Sequence, residues 1–156
     1  MTETIRAGVN AATVTEYLSN DHRRLDALFG EAIALARRGA SAEAAGRAAE
    51  FRAGLERHIR WEEEILFPIF EDRTGSSMGP TSVMRAEHRE LLALLQGWSG
   101  AAPAQVSETL QRTADAIAEL LGQHNMKEEQ VLYPRTDAFL DAAGRADAVR
   151  RMEGMR

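Results

Sequence analysis

Every histidine in the chain, His22, His58, His88 and His124, belongs to one repeated pattern. Asp21-His22-Arg23 is matched by Glu87-His88-Arg89, with Leu25 and Leu28 matched by Leu91 and Leu94. His58 is matched by His124, Glu62-Glu63 by Glu128-Glu129, Leu66 by Leu132 and Pro68 by Pro134, all at the constant shift of 66 positions that separates His58 from His124. Each half of this duplication carries one His and then a His-x-x-x-Glu. On a helix, residues four apart stack one turn above each other, so Glu62 lies on the face of His58 and Glu128 on that of His124. His22 shares its face with Leu18, Leu25 and Phe29, and His58 with Phe51, Leu55, Ile65 and Ile69. His88 sits with Met84, Leu91, Leu92 and Leu95, and His124 with Ile117, Leu120, Leu121 and Val131. All four imidazoles therefore face a core, and two carboxylates go in with them.

Burying such a group costs several kcal/mol unless it is paired, and no Lys or Arg occupies the inward positions. A cation must take that role. Four imidazole nitrogens and two carboxylates, with no cysteine in the chain, form a hard-to-borderline donor set that suits two divalent or trivalent metals. If each helical pair supplies two nitrogens to one metal and both glutamates bridge, each ion receives four protein donors and keeps one or two positions for an outside ligand. Spacing alone leaves open which histidines share a metal.

The neighbouring candidates are set aside on helical geometry. Glu63, Glu64 and Glu129 fall beside the inward stripe, as solvated or outer-sphere groups. Asp21 and Glu87 are turned about 100° from the histidines they precede and are expected at the surface. Tyr17 and Tyr133, five residues from His22 and Glu128, lie off the stripe and are not expected as ligands. Leu18, Leu25, Met84 and Leu91 are expected to pack around the site and control access to it, and Trp61 and Trp98 to serve packing.

The elements that must position these groups are helices. Ala, Leu, Glu and Arg dominate, only 4 prolines occur, and no β-type alternation is sustained. Thr13-Val14-Thr15-Glu16 reads as a capping box opening a helix that stops at Gly39. Ser41 is expected to cap a second helix through Phe51, Leu55, Ile59 and Ile65, running toward Pro68 and the polar stretch Thr74-Gly75-Ser76-Ser77. Pro80 opens a third that ends near Trp98, and Pro103 opens a fourth that reaches about Pro134. Short connections force neighbours antiparallel, which predicts an all-α, up-down-up-down four-helix bundle over residues 13–135. Residues 1–12 are expected to be a flexible N-terminus. Residues 136–156 are expected to form a short C-terminal helix and tail, with Phe139, Leu140, Val149 and Met152 packing against the bundle or a partner. Its arginines, Arg145, Arg150, Arg151 and Arg156, are interspersed with acids and read as a solvated face.

Composition narrows the function. The chain has 156 residues, enough for one domain. Lys and Arg number 19 against 24 Asp and Glu, a net charge of −5, so nucleic acid is a poor partner. No apolar run approaches the roughly 20 residues of a membrane span, and the N-terminus lacks a secretory signal. A cytoplasmic protein is expected.

His22, His58-x-x-x-Glu62, His88 and His124-x-x-x-Glu128 together resemble the hemerythrin-like, or HHE cation-binding, family, across residues 13 to 135. The resemblance implies a four-helix bundle with a non-haem di-iron centre, often oxo- or hydroxo-bridged, that meets O2, NO or peroxide; zinc or manganese are the alternative occupants. The oxygen-carrying members have a fifth histidine one turn after the third-helix one, where this chain has Leu92. They also place an Asp five residues after the fourth-helix histidine, where this chain has Glu129, with Glu128 at four. The four-His, two-Glu set is more similar to members implicated in repair of damaged iron centres, NO handling or peroxide removal. The repair proteins typically add a cysteine-bearing N-terminal module, which is not expected here, since these 156 residues contain no cysteine. Two functions follow as expectations. One is a di-iron protein that binds or reduces a small oxidant, with no catalytic residue beyond the metal centre. The other is a non-catalytic O2 or NO sensor or iron-storage module, acting through a partner protein or a second copy by way of the C-terminal helix.

Overall fold

A computed structural model of the chain describes residues 13–101 and 108–155, and among these every regular element is helical. The first helix, α1, spans Val14–Arg37, and its start follows the capping chemistry written in the sequence: the Thr13 hydroxyl accepts from the Glu16 N–H at 3.0 Å. It ends where Gly39 adopts φ 77°, a left-handed conformation that suits glycine. The second helix, α2 (Ser41–Trp61), starts one residue earlier than expected. Ala40 takes the cap position without a side-chain bond, Ser41 is already helical, and the Ala44 N–H closes the first turn on the Ala40 carbonyl at 2.9 Å.

Neither Pro68 nor Pro134 ends its helix, contrary to the sequence expectation for the fourth. From α2 the chain passes through a π-helical turn, Glu62–Leu66, into α3 (Phe67–Thr74). After α4 (Pro80–Ala101) and α5 (Glu108–Lys127), a second π turn, Glu128–Leu132, leads into α6 (Tyr133–Phe139). A proline inside a helix lacks an N–H and its ring presses on the carbonyl four residues back; a wider turn just before it relieves both. The Phe67 and Tyr133 N–H groups accordingly bond five residues back, to the carbonyls of Glu62 and Glu128. Pro103 and residues 1–12 lie outside the described residues, so the expectations for them find no counterpart here.

The extra residue in each π turn shifts every inward position after it by one. Val131, expected inside, is exposed, and Leu132 is buried in its place; Ile69 is only partly buried while Phe70 is fully so. In the first hairpin α2 packs along α1, with Gly54 at the crossing, where a Cβ would meet Leu25 Cδ2 at 2.7 Å. In the second α5 packs along α4, and contacts of α2 with α4 and of α1 with α6 close the ring. The last helix, α7 (Ala142–Gly154), is capped by Asp141 accepting from the Gly144 N–H at 2.7 Å. It packs back on the bundle through Ala148 and Met152. None of the described helices is long and apolar enough to cross a membrane.

Two apolar layers divide the interior. One is built on Leu25, Phe29, Phe51, Leu91, Leu95 and Ile117, the other on Leu18, Leu66, Phe67, Phe70, Met84 and Leu132. The chain's entry into the bundle is tied to its exit from α6. The Asp137 carboxylate accepts from the Val14 N–H and the Thr15 N–H, both at 2.9 Å, and from the Thr15 hydroxyl at 2.5 Å. These are otherwise orphaned donors of a helix start. Asp137→Ala is expected to destabilise the fold by about 1–3 kcal/mol, the cost of leaving buried donors unmet. Thermal unfolding, with Asp137→Asn as the milder comparison, checks this.

Candidate metal centre

The four histidines and two glutamates lie among the buried residues, His22 3%, His58 2%, His88 1% and His124 2% exposed, and Glu62 and Glu128 fully buried. His22 and His58 face each other in the first hairpin with ring centroids 4.7 Å apart, and His88 and His124 do so in the second at 4.8 Å. The duplicated sequence has become a structural near-twofold. Two groups of donor atoms result, each gathered within 4.8 Å: His22, His58 and Glu128 in one, and Glu62, His88, His124 and Glu128 in the other. Glu128 reaches both, with Oε1 3.2 Å from His22 Nε2 and Oε2 3.2 Å from His124 Nε2. Glu62 Oε1 likewise lies 3.1 Å from His58 Nε2 and 3.5 Å from His88 Nε2.

Proximity here is not hydrogen bonding. Glu62 Oε1, Glu128 Oε2 and His88 Nε2 are buried with no hydrogen-bond partner despite these short approaches. Unmet buried polar atoms are rare and costly, and lone pairs converging on a common point are what a bound cation requires. The donor set fits metal binding by position as well as by type.

Each imidazole turns its Nε2 inward because its Nδ1 is held from outside by a carboxylate. His22 Nδ1 meets Glu129 at 3.1 Å and His58 Nδ1 meets Asp21 at 2.8 Å. His88 Nδ1 meets Glu63, and His124 Nδ1 meets Glu87, both at 2.9 Å. Asp21 and Glu87, expected at the surface, are thus corrected to imidazole acceptors. The 100° offset from their own histidines aims them across the hairpin at the histidine of the next helix. The repeat at a shift of 66 contains both acids, and that was the available signal. Carboxylate–imidazole pairs of this kind fix the ring and raise the basicity of the nitrogen left for a metal.

Comparison with known proteins accords with this geometry. Residues 13–136 match the Hemerythrin HHE cation binding domain. The chain belongs to that family. This hemerythrin-family chain is also similar to proteins named iron-sulfur cluster repair protein YtfE. It is 36% identical over 90 residues to that of Escherichia coli O1:K1, covering 52% of this chain and 41% of the relative. It is 37% identical over 87 residues to that of Enterobacter sp. (strain 638), covering 50% and 40%. The chain therefore spans about two-fifths of the length of these curated relatives. No solved structure matches it.

One residue of this hemerythrin-family site was missed altogether. Tyr133, set aside as lying off the stripe, is fully buried with its hydroxyl against the first donor group. It lies 3.1 Å from His22 Nε2, 3.2 Å from His58 Nε2, 3.2 Å from Glu62 Oε2 and 3.0 Å from Glu128 Oε1. The reason is the π turn, which brings a residue five positions on, not four, back over Glu128. Tyr17, by contrast, packs at a tilt against Trp61 with ring centroids 5.3 Å apart, in the apolar layer. Leu92, where the oxygen carriers have a fifth histidine, packs against the other apolar layer.

The acids dominate the field. Burial alone would lower the His58 pKa, but the charges of Glu62 and Asp21 outweigh it and raise it to about 10; for His88, Glu62 and Glu63 outweigh burial and raise it to about 9. Burial alone would raise the Glu62 pKa, and the charge on His58 instead holds it well below the usual carboxylate range. Burial together with the Glu128 and Glu62 charges keeps the Tyr133 phenol well above its ordinary value.

Two outcomes are expected. Raised histidine pKa values stabilise the metal-stripped fold fully below the unfolded value near 6.5, and that stability is lost as pH rises through about 9 and 10. The melting temperature of chelator-treated protein should thus fall across that alkaline window, whereas the metal-loaded protein, whose imidazoles carry metal instead of protons, should not share that fall. Separately, Asp21→Asn or Glu87→Gln should weaken metal binding about 10- to 100-fold without unfolding the bundle, as read by competition with a chromophoric chelator.

Proposed function

We propose that His22, His58, Glu62, His88, His124 and Glu128 hold two iron ions, one by each histidine pair, with both glutamates shared, and that this centre binds or reduces a small oxidant such as peroxide, NO or O2. The observation that carries the reading is the convergence of buried donor atoms from four helices into two adjacent groups, with Glu62 Oε1, His88 Nε2 and Glu128 Oε2 lacking any hydrogen-bond partner. Iron bound there would supply an open coordination position and one-electron redox change. The chain's own residues hold the imidazole nitrogens inward through Asp21, Glu63, Glu87 and Glu129. Apolar layers above and below separate the centre from bulk water. The six donors carry only two formal negative charges, so two divalent or trivalent ions leave the centre positive and able to attract an anionic ligand.

A second reading is supported by the relatives' name: the same iron pair would serve the repair of damaged iron-sulfur clusters, as iron donor or as NO scavenger. A third keeps the centre as a non-catalytic sensor or reservoir whose occupancy is read by a partner. In that case the exposed side of α7 is the surface proposed for contact, since Ala148, Val149 and Met152 are buried.

Metal analysis and rapid mixing separate these readings. His58→Ala and Glu128→Ala are each expected to remove at least one metal per chain and to lower the melting temperature, because ligation contributes to folding. Unchanged stoichiometry in both would refute the ligand assignment. In stopped-flow spectroscopy, multiple turnovers of the diferrous protein with H2O2 or NO support the oxidant-reducing reading. A stable reversible adduct supports a binder, and transfer of iron to an apo iron-sulfur protein supports repair.

A further inference from the structure

The repeat that makes the two halves of the site alike breaks at one inward position. Tyr133 and Phe67 are related by the same shift of 66. Each follows a π turn, and each stacks on an equivalent imidazole with a ring-centroid distance of 5.6 Å, Tyr133 on His22 and Phe67 on His88. One half of the site therefore contains a phenol hydroxyl where the other has a bare ring edge.

That hydroxyl has more close polar neighbours than a single O–H can serve by donation. With His22 Nδ1 and His58 Nδ1 engaged by Glu129 and Asp21, the Nε2 atom of each ring is the one turned toward the hydroxyl. Tyr133 has one proton amid four polar atoms, two imidazole nitrogens and two carboxylate oxygens, all between 3.0 and 3.2 Å away. The distances have a different regularity. Ligands adjacent on an octahedral metal with bonds of about 2.1 Å lie roughly 3.0 Å from one another. An oxygen at that distance from four other donors stands where the apical ligand above them would be.

On the reading that the cluster holds two metals, the geometry points to Tyr133 as a direct ligand of the metal bound by His22 and His58, which leaves the metal bound by His88 and His124, beside Phe67, as the one that accepts an exogenous ligand. As the oxygen–metal bond forms the O–H bond breaks, and the proton leaves to solvent with those displaced from the other ligands. The first metal then has two imidazoles, two shared carboxylates and a phenolate, with one position left for a group bridging the pair. The second lacks the phenolate and retains an open place.

Iron(III)-loaded protein tests this without any turnover. A phenolate-to-iron(III) charge-transfer band is expected in the visible, with resonance Raman modes that shift when the tyrosines carry ring deuterium. Tyr133→Phe should lose the band while retaining both irons, and Tyr17→Phe should keep it. Phe67→Tyr, which places a hydroxyl on the second half, should strengthen the band and weaken azide binding at least about tenfold by filling the open position. Two bound irons with no such band, or a band that survives in Tyr133→Phe, would overturn the proposal and leave the dimetal reading standing. If Tyr133→Phe does not fold, the isotope shift in the unaltered protein decides alone. A chain that binds no iron under replete conditions overturns both readings.

Discussion

The whole arrangement depends on burying two carboxylates, Glu62 and Glu128, in an interior where no Lys or Arg is buried among the described residues. In such surroundings an uncompensated ion costs several kcal/mol after relaxation, a large fraction of what a domain of this size has to spare. Imidazoles bearing protons can meet part of that requirement, and His58, His88 and His124 are driven toward the charged form by their acidic neighbours. Cations of higher charge meet it better, since each then satisfies several donors at once and the imidazole lone pairs are used. The scaffold is organised around that need: four helices each contribute one imidazole, two of them a carboxylate one turn away, and apolar layers on both sides keep the interaction from being diluted by water.

The second ring of acids makes the inner ring specific. Asp21, Glu63, Glu87 and Glu129 each take one imidazole N–H, so the histidines present a single nitrogen to the centre. These outer acids are themselves steadied from the surface, Asp21 by Arg24 at 2.8 Å and Glu87 by Lys127. Charge therefore alternates outward from the centre in shells, and the surface cations lie where hydration limits their cost.

Much of this was legible in the chain before folding. Periodicity at His22, His58, His88 and His124 identified the bundle and the inward donors because helical spacing translates directly into a face. The same rule failed wherever spacing stopped being that of an α-helix. Val131 and Ile69 were assigned inward, and Tyr133 outward, by counting 3.6 residues per turn through segments that do not obey it. The clue was Pro68 and Pro134, which invite an ending when read singly; occurring at equivalent places within two copies of a helix that must continue, they instead require a wider turn. Asp21 and Glu87 were misplaced for another reason. A helical wheel describes one helix, whereas their partners lie on the neighbouring one.

The cross-links among these residues fall into two kinds. Asp21 with His58 and Glu87 with His124 are made inside a hairpin, but Glu129 with His22 and Glu63 with His88 join one hairpin to the other, as does the reach of Glu128 from His124 to His22. Neither half of the duplication holds a complete set of supports for its own pair of imidazoles. Either hairpin alone would need the other docked on it to complete its supports, and carrying both in one chain makes that assembly intramolecular and independent of concentration.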